Sequence, residues 1–234
     1  DQAVFISDAR LFELIFNLLP DQNDYIPDKE LILRMNMFKE LKSSEIANWV
    51  NGKESKLDAL QKPIHYKSGE VKELVYHLFF LGQPKSPDLE QSVSNLIEML
   101  KIIGKEIADT SELNSFKHGM RGVIDPKIFS LGDKGKELLK YDFKEAIHYY
   151  EFHKGKKCFT VHFKTLDLQR NTNLTVYATL LIKAIITPRK KLFHPNEDKE
   201  EITSIHLTEE NLKQVSSTSP GSFHLKFSNC KVKS

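Results

Sequence analysis

The chain has 234 residues, of which 40% are hydrophobic and 28% are charged, a composition typical of globular proteins with a packed core. Its 34 basic and 32 acidic residues leave a formal net charge of +2, which excludes a protein that coats nucleic acid with an overall basic surface. Only two cysteines occur, Cys158 and Cys230, so neither a disulfide framework nor a cysteine zinc site is expected. We expect two reduced thiols in a cytoplasmic protein; the alternative is one disulfide in an exported protein.

No membrane-spanning segment is expected. The longest apolar run, residues 176–186, is interrupted by Lys183 and is shorter than the roughly 20 residues that a helix needs to cross a bilayer. The first 20 residues contain Asp8, Arg10 and Glu13 and lack a basic leader, so no secretory signal is predicted.

The first half of the chain is predicted to be helical, because apolar residues recur there every three or four positions. Four segments show this spacing, namely residues 5–19, 28–48 with a break at Lys42–Ser44, 69–82 and 86–109. In the last of them Ser86 is a suitable N-cap, and Pro87 fits the first helical position.

A fifth helical pattern, SELNSFKHGMRGVID over residues 111–125, carries the candidate catalytic residues. Asn114, His118 and Arg121 follow one another at spacings of four and three residues and so share one face of the predicted helix. Imidazole transfers protons near neutral pH, and the planar guanidinium binds phosphate or carboxylate, so His118 and Arg121 are catalytic candidates that Asn114 would orient. The alternative interpretation is structural: Arg121 pairs with Asp125 on a solvated face, and the other two side chains hydrogen-bond the next segment.

Small residues form a second row on the same predicted helix, at Ser115, Gly119 and Gly122. A glycine inside a helix costs about 1 kcal/mol relative to alanine. Two of them indicate that a neighbouring backbone or a ligand approaches this side closely.

The segment N-x-x-K-H-G at residues 114–119 resembles the motif region of HEPN domains. The resemblance implies a helical, often dimeric domain; many members are RNases in toxin or phage-defence systems, and others bind nucleotides. Carried over to this sequence, it implies that His118 and Arg121 act at a dimer cleft. The family has arginine four to six residues before histidine, whereas here His118 precedes Arg121. The family's order occurs at Arg189 and His194, a match that we interpret as accidental.

After Pro126 the spacing of apolar residues changes to the alternation typical of strands. Residues 146–163 are rich in aromatic and β-branched residues around a turn at Lys154–Gly155. A two-residue turn there would place His162 opposite Ile147 and His148 opposite Val161, so the two histidines would lie on opposite faces. Because a zinc site needs convergent ligands, no metal site is expected.

The rest of the chain is predicted to contain two helices and a strand. Residues 171–187 have helical spacing and are apolar nearly all round, so we expect this helix inside the core. Residues 206–215 are predicted to form a short helix capped by Thr208, and residues 223–227 a terminal strand.

A basic cluster follows the predicted core helix. Arg189, Lys190 and Lys191 are candidates for phosphate contacts. The alternative is a solvated helix end, where cations also suit the helix dipole.

Together these elements predict an α+β fold, mainly α: a helical bundle with a small antiparallel β-sheet contributed by the C-terminal half. We expect the bundle to span residues 1–126, and residues 127–234 to pack on it as one compact unit.

Two functional hypotheses follow. The first is a binding or interaction protein that uses a protein partner or self-association, with a homodimer as one form. The second is a HEPN-like RNase or nucleotide-handling enzyme of a defence or toxin system, which would contact RNA or a nucleotide. No cofactor and no membrane association are expected in either case.

Overall fold

The structure is a computed structural model of the chain. It describes residues 2–20, 28–35, 41–65, 71–81, 86–108, 122–124, 128–133, 136–142, 146–153, 158–165, 167–193, 205–216 and 223–228. The chain divides into two units: the first comprises Asp1–Ala108 with Gln169–Ser217, and the second Asp109–Leu168 with Thr218–Ser234. This division differs from the predicted boundary at residue 126.

The first unit is mainly helical, as predicted. Its elements, labelled in chain order, are α1 (Gln2–Leu18), α2 (Asp28–Met35), α3 (Ser43–Val50), a 3₁₀ helix (Lys56–Gln61), β1 (Pro63–His65), β2 (Val71–Glu73), α4 (Leu74–Phe79), α5 (Pro87–Ala108), α6 (Leu168–Phe193) and α7 (Glu209–Val215). The helix α3 begins at the predicted break near residue 43. The helices α6 and α7, which the sequence placed in the C-terminal half, belong to this unit.

The long helix α5 forms the centre of the first unit. Its cap is the predicted one, because the Ser86 hydroxyl accepts a hydrogen bond from Leu89 N at 3.2 Å. Its apolar stripe is buried, with Leu96, Leu100 and Ile103 fully inaccessible to solvent. Burying one such side chain contributes roughly 1.5–3 kcal/mol, so this stripe accounts for the strong amphipathic pattern in the sequence.

A glycine lets α5 approach α3 closely. A Cβ atom at Gly104 would lie 2.9 Å from Val50 Cγ1, 3.0 Å from Ile46 Cγ2 and 3.3 Å from Phe12 Cζ. These distances are shorter than ordinary carbon–carbon contacts of about 3.5–4.0 Å. A side chain at this position would therefore displace α3 or the phenyl ring.

The predicted helix over residues 69–82 is wrong at its beginning. Residues Val71–Glu73 form β2, which pairs antiparallel with β1 in the register Pro63↔Glu73 and His65↔Val71. The hydrogen bond from Leu74 N to Lys62 O, at 3.2 Å, continues this pairing to the first residue of α4. The non-local pairing overrides the helical spacing of the apolar residues.

Buried polar side chains on α5 hold the segment that leads into α7. The Ser92 hydroxyl accepts a hydrogen bond from Leu207 N at 2.8 Å, and Asn95 Nδ2 donates to Leu207 O at 2.7 Å. One residue later, Thr208 and Asn211 form a capping box that begins α7. The predicted short helix and its cap are thus confirmed.

The helix α6 is longer than predicted and is not buried on all sides. It spans Leu168–Phe193, and Val176, Leu180 and Ile186 remain 49%, 46% and 39% exposed. Its buried face carries Leu174, Ala178, Leu181 and Ile185. The prediction of all-round burial is therefore wrong, because apolar residues on one face of this helix remain open to solvent.

The second unit is described by its strands. They are β3 (Gly122–Ile124), β4 (Ile128–Asp133), β5 (Lys136–Asp142), β6 (Ala146–His153), β7 (Cys158–Thr165) and β8 (Phe223–Ser228). The backbone pairing places β3, β6, β7 and β8 side by side in that order, and pairs β4 with β5 separately. All of these pairs are antiparallel.

The register between β6 and β7 differs from the predicted one by two residues. His162 pairs with Tyr149 instead of Ile147, and His148 pairs with Phe163 instead of Val161. The last pair is His153 with Cys158, so four residues connect the strands where a two-residue turn was predicted.

Candidate functional site

The polar row predicted from the sequence lies outside the described residues. This holds for Asn114, His118 and Arg121, whose catalytic assignment stays a prediction. The predicted helix over residues 111–125 is wrong in its last turn, because Gly122–Ile124 is a strand that pairs with β6.

Arg189 of the basic cluster is fully buried. Its Nη1 donates to Leu78 O at 3.0 Å and to Ile185 O at 2.8 Å, and its Nη2 donates to His77 O at 2.9 Å. The guanidinium therefore satisfies backbone carbonyls near the end of α4, where a cation also suits the helix dipole. A buried guanidinium used in this way does not fit the predicted phosphate contact. Lys190 is exposed, and the side chain of Lys191 lies outside the described part.

A cleft with a volume of about 400 Å³ opens beside α5. Ligand pockets commonly measure about 300–1,000 Å³, so this cleft is large enough for one or two side chains or a small molecule. Its lining residues are Gln61, Glu73, Tyr76, Glu90, Val93, Ser94, Ile97, Glu98 and Lys101. We call it the acidic cleft.

One face of α5 supplies most of the acidic cleft. Glu90, Ser94, Glu98 and Lys101 follow at spacings of four, four and three residues, which is a single row along a helix. The opposite wall comes from the end of the 3₁₀ helix, the last residue of β2 and the first turn of α4. The β1–β2 pairing, continued by the hydrogen bond from Leu74 N to Lys62 O, brings the end of the 3₁₀ helix next to the start of α4.

The lining is apolar at depth and charged at the rim. Tyr76 and Ile97 are each 5% exposed, whereas Glu73, Glu90 and Glu98 are exposed to solvent. The Tyr76 ring is positioned by Phe80, with 5.9 Å between the ring centroids. The lining thus combines a buried aromatic ring with exposed carboxylates, and both kinds of group attract cations.

Three glutamates and one lysine give the lining a formal charge of −2. Lys101 Nζ forms an ion pair with Glu98 Oε1 at 3.1 Å. Within the part of the chain that the structure describes, Glu73 and Glu90 form no ion pair. Two carboxylates at the rim are thus available to a positively charged ligand.

A second charged group of residues lies near the other end of α5. Asp8 of α1 is fully buried, and its Oδ2 has no hydrogen-bond partner among the described residues. Arg170 of α6 pairs with Glu106 of α5, with 2.5 Å between Nη2 and Oε1, and its Nε donates to Val215 O at 2.8 Å. We call Asp8, Glu106, Arg170 and the Val215 carbonyl the junction cluster.

Burial raises the pKa of Asp8 to about 8, and the negative charge of Glu106 adds to this effect. A hydrogen bond from the Ser7 hydroxyl and the positive charge of Arg170 act in the opposite direction. Asp8 is therefore largely protonated at neutral pH.

Neither a metal site nor a membrane span appears in the described residues. Their His, Cys, Asp and Glu side chains form no group of three that could hold a metal ion. None of the helices in the same part of the chain combines the length and apolarity that crossing a bilayer requires.

Sequence reasoning missed both groups of charges. The sequence patterns assign no functional role to Glu90, and they place Asp8 only among the charges that exclude a secretory signal. The available signal for Asp8 was its position on the buried stripe of α1, three, four and seven residues before Leu11, Phe12 and Ile15. The acidic cleft had no local signal, because its two walls come from separate segments.

Comparison with known proteins adds no relative: no protein-family model, no curated protein and no solved structure matches the chain.

Proposed function

We propose that this protein is a binding protein whose site is the acidic cleft. Its partner is a protein segment that carries a lysine or arginine side chain. The observation that supports this proposal is a concave site of about 400 Å³ whose lining has a formal charge of −2. As part of the same proposal, we assign the chain to the α+β class, mainly α, with the small antiparallel sheet in its second unit.

The chemistry of the lining favours a side chain with an apolar stem and a cationic head. Val93, Ile97 and the Tyr76 ring would contact the methylene groups, which lysine and arginine bury readily. Glu73 and Glu90 at the rim would receive the cation. Because these carboxylates are exposed, the attraction is screened by salt, with a Debye length of about 8 Å at physiological ionic strength.

The test uses defined peptides. Isothermal titration calorimetry would measure the binding of hexalysine, hexaarginine and hexaglutamate to the full chain at low and at physiological salt. The variant Glu73→Gln/Glu90→Gln removes the two rim carboxylates. The matched control is Glu209→Gln/Glu210→Gln, which makes the same change in net charge at exposed positions of α7.

We expect a cationic hexapeptide to bind the wild type and the control with affinities within twofold of each other. The rim variant should bind at least tenfold more weakly, and hexaglutamate should not bind at all. Equal weakening in both double variants would mean that the peptides only sense net charge. That result, or no binding of either cationic peptide, would contradict the proposal.

The alternative, a HEPN-like RNase, depends on Asn114, His118 and Arg121, and no described residue bears on it. RNA cleavage by the wild type and by His118→Ala at equal background rates would end that hypothesis. Self-association is a separate question, for which light scattering at several concentrations gives the solution mass.

A further inference from the structure

The chain passes between its two units three times, and all three passages lie next to the junction cluster in the sequence. The chain leaves the first unit after Ala108, returns at Gln169 and leaves again after Ser217. Glu106 precedes the first passage by two residues, Arg170 directly follows Gln169, and Val215 precedes the third passage by two residues. Glu106, Arg170 and Val215 thus lie close in sequence to the three ends, other than Asp1, at which the chain enters or leaves the first unit.

One guanidinium ties these ends together. Arg170 contacts the Glu106 carboxylate through Nη2 and the Val215 carbonyl through Nε, at 2.5 and 2.8 Å. The Val215 carbonyl belongs to the last turn of α7, where carbonyls lack helical partners and a cation is favourable. One turn further along α6, Asn173 Nδ2 donates to Gln214 O at 3.2 Å, which adds a second bond to the same turn of α7.

Asp8 is the titratable group of the cluster that is wholly removed from water. The charged groups that act on it are Glu106 from α5 and Arg170 from α6, and Ser7 on its own helix donates a hydrogen bond. From α2, Arg34 bonds Leu19 O, which lies 11 residues along the chain from Asp8, or roughly 16 Å at 1.5 Å per residue. Among the described residues, Arg170 is therefore the cation with which an ionised Asp8 would interact.

We propose that the junction cluster is a pH-sensitive clamp that holds these three chain ends of the first unit, and that ionisation of Asp8 loosens it. With Asp8 protonated, Arg170 keeps its bonds to Glu106 and to the Val215 carbonyl. Once Asp8 is ionised, its buried carboxylate competes for one guanidinium with the carboxylate of Glu106, whose side chain is 27% exposed. The bond to Val215 O is the one lost, so the last turn of α7 is released as the pH rises. This clamp is independent of the acidic cleft and of its partner.

Hydrogen exchange of the full chain tests the clamp. Mass spectrometry would give the protection factors of residues 209–215, corrected for the intrinsic pH dependence of exchange, at pH 6, 7, 8 and 9. The variants are Asp8→Asn, which keeps the shape of the side chain without its charge, and Arg170→Ala, which removes the clamp. The control is Arg34→Ala, because Arg34 also joins a glutamate and a helix-end carbonyl, with 2.7 Å to Glu30 Oε1 and 3.2 Å to Leu19 O.

In the wild type and in Arg34→Ala, protection of residues 209–215 should fall at least tenfold between pH 6 and pH 9. Asp8→Asn should hold its pH 6 protection throughout, and Arg170→Ala should show low protection at every pH. The same fall in Asp8→Asn as in the wild type would overturn the proposal, and so would a wild type without pH dependence. If Arg170→Ala does not fold, the comparison of the wild type with Asp8→Asn is sufficient to test the clamp.

Discussion

The acidic cleft and the junction cluster lie along the same helix, α5, and use carboxyl groups in opposite ways. Glu90 and Glu98 are exposed, so water solvates their charges and a ligand can reach them. Asp8 is fully buried, and burial raises its pKa to about 8. Burial thus separates two kinds of acidic side chain in this protein. The exposed glutamates suit recognition, whereas the raised pKa of the buried Asp8 predicts that stability depends on pH.

The largest expected effect is at Arg189, a basic residue that is fully buried. Arg189→Met should lower the free energy of unfolding by about 3 kcal/mol or more, because the carbonyls of His77, Leu78 and Ile185 lose their donor inside the core. Urea denaturation of the variant and the wild type measures this cost. The neighbouring exposed residue gives the control, since Lys190→Met should change stability by less than about 0.5 kcal/mol. Equal costs for the two variants would contradict the structural role of Arg189.

The second effect concerns the pH dependence that Asp8 imposes. Its pKa rises from an ordinary 3.8 to about 8 on folding, so the folded protein binds more protons between these pH values and loses stability as the pH rises. The slope approaches 1.4 kcal/mol per pH unit, or about 2 kcal/mol between pH 6 and pH 8. Asp8→Asn removes this term.

Urea denaturation at pH 6, 7 and 8 therefore measures the stability of Asp8→Asn minus that of the wild type, a difference that cancels the other titrating groups. The difference should grow with pH by the amount given above. A difference that stays constant over this range would show that Asp8 does not titrate there.

The smallest effect is expected in the acidic cleft. Glu90→Gln and Glu98→Gln should each change the free energy of unfolding by less than about 0.5 kcal/mol, because exposed charges and surface ion pairs contribute little. The ion pair of Glu98 with Lys101 belongs to this class, since its side chains are 54% and 34% exposed. A fall of more than about 1 kcal/mol in the free energy of unfolding, measured by thermal or urea denaturation, would show that these glutamates stabilise the fold. Their contrast with Asp8 would then not hold.

Local patterns in the sequence were sufficient where a segment's structure depends on the segment itself. Ser86 before the apolar stripe of α5 and the Thr208–Asn211 box of α7 are such cases, because a cap involves only neighbours along the chain. The break before α3 was likewise visible near Ser43.

Sequence patterns gave wrong predictions where a distant segment determines the local structure. Residues 71–73 have helical spacing, yet β1 pairs with them, and the exposed apolar face of α6 shows that apolar composition alone does not bury a helix. The acidic cleft combines residues of α5 with residues before β1 and after the start of β2, so no single window of sequence contains it. The functional row at Asn114, His118 and Arg121 stays a prediction.

The close approach at Gly104 has a practical consequence for following this protein in solution. The helix that meets this glycine, α3, carries the single tryptophan of the chain, Trp49, which is 4% exposed. Its indole is flanked in sequence by Val50, one of the two α3 side chains nearest to the glycine. Intrinsic tryptophan fluorescence therefore reports on the first unit alone. The methyl group added by Gly104→Ala should displace α3 and shift the emission spectrum of Trp49, so no attached dye is needed.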